Sequence, residues 1–151
     1  MNFSAKTEYG VRLMVELGRQ HGGPPTSLKA IAEAEGLPLS YLEHVAADLK
    51  RAGLVEATRG AHGGYRLTRT PGEIAMDGVV NALEGTIAPM ECFVSLPTSR
   101  VACSHAADRG HACATKLLWT RVQGGVLKVL QGTTLSELVE FSQSHAPVAA
   151  A

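Results

Sequence analysis

Residues 37–69 read "LPLSYLEHVAADLKRAGLVEATRGAHGGYRLTR". Leu39, Leu42, Val45/Ala46 and Leu49 recur at the intervals that bring side chains onto one face of a helix. The opposite face carries Ser40, Tyr41, Glu43, His44 and Ala47. Just before it, "TSLKAIAEAEG" (26–36) predicts a shorter helix capped by Thr26 or Ser27. Leu28, Ile31 and Ala32 turn inward there, and Gly36 closes the helix. Two short helices across a tight glycine-containing turn, the second with a polar outer face, make a helix-turn-helix pattern. An ordinary helical hairpin would give the same signals. The next residues separate the two. Leu54–Thr58 and Tyr65–Thr68 predict strands, joined by the glycine-rich "RGAHGG". A basic hairpin directly after a helix-turn-helix is a wing.

The wing's charge is local. Over 151 residues the formal net charge is zero, yet Lys50, Arg51, Arg59, Arg66 and Arg69 face one acid, Glu56, between positions 50 and 69. Arg59 at the tip suits a phosphate backbone or narrow minor groove, and Gly60, Gly63 and Gly64 let main-chain N–H groups approach closely. Glycine-rich tips are often only turns, but the local positive balance favours DNA contact. Aromatics at 5 % leave little for a base-stacking platform on single strands. The opening "MNFSAKTEYG" lacks the basic start and apolar run of a secretory leader, and no stretch approaches membrane-spanning length. The cytoplasm is the expected compartment.

Upstream, Tyr9, Leu13 and Leu17, flanked by Val11, Met14 and Val15, predict a helix from Ser4 to about Gln20, ended by "HGGPP". Downstream, "RTPGEIAMDGVVNALEG" (69–85) resumes helix with Ile74, Met76, Val79, Val80 and Leu83 apolar. From Ala114 to about Leu130 a long helix carries Leu118, Val122, Val126 and Val129 on one stripe, beside Leu117, Trp119, Leu127 and Leu130. That exceeds what one small domain hides behind a single face, and implies a self-complementary dimer interface. Gly124 and Gly125 either allow close approach, bend the helix or end it. "TTLSEL" places Thr134 and Glu137 at capping-box spacing for a last helix.

All three cysteines fall in "CFVSLPTSRVACSHAADRGHAC" (92–113). An odd number of thiols in a reducing compartment points to metal or redox chemistry rather than a disulfide framework. An enzyme with Cys113 as nucleophile beside His111 is the weaker reading. No nucleotide-binding glycine fingerprint or nucleophile elbow accompanies it. A protein–protein adaptor on the same fold is a further alternative.

"FSAKTEYGVRLMVELG" (3–18), the block from Leu28 to Arg69 and "TTLSELVEF" (133–141) resemble the IscR/NsrR-type bacterial winged-helix transcription regulators. "SYLE", "AGLV" and "RGAHGGYRL" carry the likeness most specifically. It implies a mainly α fold with a small β-wing: a winged helix-turn-helix domain (1–85), a cysteine segment (86–113), a dimerisation helix and last helix (114–142), and a tail (143–151). It implies a homodimer on a double-stranded DNA operator, away from membranes, acting as a repressor. Ser40, Tyr41 and Glu43 match residues that face bases and phosphates; Arg59, Gly60, His62, Gly63 and Gly64 match the wing. A local Ser40–Glu43 cap is the rival role for Glu43.

In the cysteine-ligating members of this family three cysteines ahead of the dimerisation helix hold an iron–sulfur cluster, of 2Fe–2S or 4Fe–4S type, so the resemblance implies Cys92, Cys103 and Cys113 as ligands. The spacing here, ten and nine intervening residues, is wider than many relatives show, and Lys116 stands where one subgroup has a histidine. The fourth ligand is Glu8, matching an acidic ligand from the partner's first helix, or His105 or His111 within the segment. Thiol–disulfide switching or zinc, without a cluster, are the competing uses of the same cysteines.

Overall fold

Residues 3–89 and 113–144 are described in the computed structural model. The order is α1 (Ala5–Arg19), α2 (Leu28–Glu35), α3 (Leu39–Arg51), β1 (Val55–Thr58), β2 (Gly64–Leu67), a 3-10 turn (Pro71–Glu73), α4 (Met76–Glu84), α5 (Ala114–Gly132) and α6 (Leu135–Ser144). Leu13, Met14, Ile31, Leu42, Val45, Leu49, Val55, Ile74, Val79 and Leu135 are the largest fully buried side chains. They come from α1 to α4, β1 and the start of α6, so one core serves both ends of the sequence.

Helix α1 lies at the centre, against α2, α3, α4, α6 and β2. Two glycines on its buried face permit this. A Cβ at Gly10 would stand 2.2 Å from Leu83 Cδ1 of α4, and one at Gly18 would stand 2.6 Å from Val139 Cγ2 of α6. Ser4 occupies the N-cap position but its hydroxyl makes no cap bond. Instead Ser4 N, Ser4 Oγ and Thr7 Oγ1 all donate to Glu84 Oε1, each at 2.6 Å, clasping the start of α1 to the end of α4.

The wing strands pair antiparallel, with Val55 opposite Leu67 and Glu56 opposite Arg66. Val55 and Leu67 point into the core, while Glu56 and Arg66 form an outward ion pair at 2.5 Å, as period-two alternation requires. Thr26 adds a one-residue bridge to Tyr65, with N–H···O distances of 2.9 and 2.8 Å. A second isolated bridge joins Ala75 to Thr134. There Met76 N donates to Thr133 O and Leu135 N to Ile74 O, both at 2.9 Å, stitching the α5–α6 turn to the segment behind the wing.

Several expectations are refined. Helix does not resume at Arg69: Thr70 N and Oγ1 donate to the Glu73 carboxylate, the Pro71–Glu73 turn closes, and Ala75 is extended to bridge Thr134. Leu39, read as inward, is 38 % exposed at the first position of α3. Gly124 and Gly125 do not end their helix, which runs on to Gly132, and a Cβ at either would meet nothing within 4 Å. Thr134 and Glu137 do form the expected capping box. Among the described residues no helix is long and apolar enough to cross a membrane.

The Ser4 hydroxyl, then the Thr7 hydroxyl and the Ser4 N–H, hold the Glu84 carboxyl below its ordinary value of 4.5, against the opposing effect of partial burial. A carboxyl whose folded pKa is depressed stabilises the fold above its unfolded pKa and ceases to do so as pH falls through the folded one. Unfolding free energy should therefore decline as pH drops below about 4.5. Urea titrations across pH should show Glu84→Gln less stable at neutrality and flatter over that acid range.

Candidate nucleic-acid interface and cysteine segment

Helix α3 is aimed by the turn before it. Gly36 takes the left-handed conformation at φ 65°, ending α2, and Leu37 N donates back to Ala32 O at 2.9 Å. Ser27 caps α2 by accepting from Ala30 N. Pro38 then precedes α3, its carbonyl accepting from Tyr41 N and Leu42 N at 3.1 Å. Leu42, Val45, Ala46 and Leu49 are buried, and Ser40, Tyr41, Glu43, His44 and Ala47 are exposed. Because Pro38 fills the cap position and no bond joins Ser40 to Glu43 among the described residues, a local Ser40–Glu43 cap is not formed. The Tyr41 ring meets Tyr9 of α1 edge-on, with centroids 5.3 Å apart and planes at 81°.

At the wing tip Arg59, Gly60, Ala61 and His62 are exposed. The glycines divide into two kinds. A Cβ at Gly63 would lie 2.2 Å from Thr58 O, and one at Gly64 would lie 2.5 Å from the Thr26 backbone. Folding alone demands both. Gly60, at φ 115°, faces open space. The basic excess is smaller than its residue count, since Glu56 engages Arg66 and Asp48 engages Arg51. Among the described residues Lys50 and Arg59 make no ion pair. Sequence reading missed the Thr26 bridge, which supports the wing from outside the hairpin; its only prior trace was the β-branched residue after "HGGPP".

Of the proposed metal ligands, Cys92, Cys103, His105 and His111 lie outside the described residues. Cys113 is the exposed residue immediately before α5, with Sγ 3.0 Å from Thr115 Oγ1. The Thr115 hydroxyl foremost, then the Lys116 and Thr115 N–H groups and the Lys116 charge, hold this thiol below its ordinary pKa. A thiolate favoured in this way is both a better nucleophile and a better metal ligand. Glu8 is exposed on α1, its Oε1 accepting from Arg12 Nε at 3.0 Å and pairing with Nη2 at 2.8 Å. Among the described residues no three histidine, cysteine or carboxylate side chains gather as a metal site.

Residues 3–141 match the Rrf2 family model, described as iron-dependent transcriptional regulators. The chain belongs to the Rrf2 family. It is thus a winged-helix transcriptional regulator and not an enzyme. The HTH-type transcriptional regulator CymR of Bacillus subtilis is 37 % identical over 145 residues, 96 % of this chain and 94 % of the relative. Its structure, that of the global cysteine regulator of B. subtilis, superposes with a TM-score of 0.76 over 93 % of this chain and 98 % of that one. The structure of T. potens IscR is 32 % identical, with a TM-score of 0.75 over 100 % and 94 % of the two chains. The family expected from the motifs is the family found.

Gly63→Ala forces the Thr58 carbonyl to move, so it should destabilise the fold by about 1–3 kcal/mol. Calorimetric melting of the two proteins measures that loss.

Proposed function

We propose that this Rrf2 regulator acts as a homodimeric repressor whose operator binding is set by an iron–sulfur cluster on Cys92, Cys103 and Cys113. One observation carries the reading: the thiol favoured as thiolate opens α5, whose apolar face the chain leaves uncovered. Leu117, Leu118, Val122 and Val129 are 58, 55, 36 and 66 % exposed, and α5 buries no residue of its own. Exposed apolar surface of this extent, continuous along one helix, favours pairing with a second copy. Chemistry at Cys113 would then act at the first turn of the dimer contact.

Paired subunits present two α3 helices to successive major grooves, one helical turn apart on B-DNA. Ser40, Tyr41 and Glu43 are assigned to bases and flanking phosphates. Arg59 and Gly60, with His62, approach the backbone or minor groove from the wing, which Gly63 and Gly64 shape. A cluster, when bound, supplies a linkage sensitive to oxidation and nitric oxide; Glu8 of the partner, His105 or His111 completes its ligands. The described donors fit that role as far as they go. Cys113 offers an accessible thiol poised to ionise, and Glu8 an exposed carboxylate on α1.

The likeness to CymR supports a second reading, in which the same cysteines switch by thiol oxidation without a cluster. Anaerobic purification separates them. The first reading expects a coloured protein containing iron and acid-labile sulfide, with colour lost on Cys113→Ser and gel-shift affinity changed by chelator. Colourless, iron-free protein whose DNA binding responds reversibly to oxidant and dithiothreitol would establish the second reading instead. Separately, Glu43→Ala should relax discrimination at one base pair by about 1–3 kcal/mol. Since Glu43 is exposed and makes no hydrogen bond or ion pair among the described residues, the variant's melting temperature should match the parent's; competition gel shifts measure the discrimination.

A further inference from the structure

Beside the base-facing surface of α3 is a hollow of about 320 Å³ lined by Lys6, Tyr41, His44, Asp48 and Arg51, among others. Four of these follow one ridge of α3, and Lys6 leans in from α1. Asp48 sits between two cations. Its Oδ2 pairs with Lys6 and its Oδ1 with Arg51 at 2.6 Å. The carboxylate side chain is only 18 % exposed, whereas Lys6 and Arg51 are 32 and 77 % exposed.

A carboxylate on a helix that enters the major groove would ordinarily repel the backbone. Here both its oxygens are occupied, and the two cations are held in place by it. An ammonium has three N–H donors and a guanidinium five, so one ion pair each leaves donors for another acceptor. Two cations against one carboxylate leave one positive charge, matching the single negative charge of a phosphodiester. Tyr41 and His44, which line the same hollow, carry further hydrogen-bond donors.

We infer that this hollow is a backbone-phosphate subsite in which Lys6 and Arg51 grip one DNA phosphate and Asp48 positions them. The inference rests on the reading that α3 enters the major groove. It adds a contact from α1, outside the helix-turn-helix and the wing. Such a contact fixes the helix's position along the duplex and carries no sequence information of its own.

The test is a potassium chloride titration by fluorescence anisotropy at pH 8. It uses a duplex selected by the wild-type protein from a random-sequence library and an unrelated duplex of equal length. Protein is prepared anaerobically, with and without chelator. Lys6→Gln and Arg51→Gln should each flatten the log–log salt slope by about one. Each should weaken both duplexes by the same factor. Lys6→Arg should restore the slope, and His44→Ala should weaken both duplexes without changing it; thermal melts confirm that every variant folds. Unchanged slopes in both glutamine variants would overturn the subsite, as would a loss confined to the selected duplex, which indicates base readout. Wild-type protein that binds neither duplex, with or without chelator, would remove the operator-reading proposal and this one with it.

Discussion

Two absent side chains on α1 govern how this molecule is put together. Helices usually pack with axes about 8–10 Å apart, and the approach shortens where one of them presents a small residue such as glycine. Gly10 receives Leu83 of α4, and Gly18 receives Val139 of α6. One helix can therefore hold the segment behind the wing and the last helix on one side while carrying α3 on another. The Glu84 clasp fixes the same helix along its axis, since three donors from its first turn converge on one oxygen. The orientation of α3 follows from this arrangement, because it rests on α1 through buried leucines and the Lys6–Asp48 pair.

The surface proposed to meet DNA combines two kinds of support. On α3 the buried stripe of Leu42, Val45, Ala46 and Leu49 sets which face turns outward, and with it Ser40, Tyr41 and Glu43. The wing tip is less constrained. Gly63 and Gly64 are required by the hairpin's own crowding, while Arg59, Gly60 and His62 project from it into open space. In the proposed reading the helix meets bases and the projecting tip meets the backbone, a division that suits backbone contacts, which tolerate small displacements better than bidentate base contacts do.

Most of the fold was legible in the sequence because its signals were periodic. The inward residues of α2 and of α4 were all read correctly, and the capping box at Thr134 and Glu137 follows from two residues at fixed spacing. What escaped was non-local. Beyond its β-branched side chain, Thr26 gives no sign that it will bridge Tyr65, and nothing in "RTPGEIA" tells that Ala75 will pair with Thr134 rather than extend a helix. Gly10 and Gly18 carry no periodic signal of their own, and their role shows only once the neighbours that need the space are placed. At the site, exposure of the α3 residues followed from the apolar stripe opposite them. The engagement of Arg66 by Glu56 needed the strand register, and that of Arg51 by Asp48 needed side-chain geometry, so a count of charges overstated what remains for DNA.

The stitch between Ala75 and Thr134 has an evolutionary consequence. It ties the turn that opens α6 to the segment behind the wing by backbone hydrogen bonds. Of the elements between, α4 is bound into the core through Val79, Leu83 and the Glu84 clasp, whereas α5 buries no residue of its own. Substitutions at its exposed Leu117, Leu118 and Val129 can therefore accumulate over generations while the core keeps its packing.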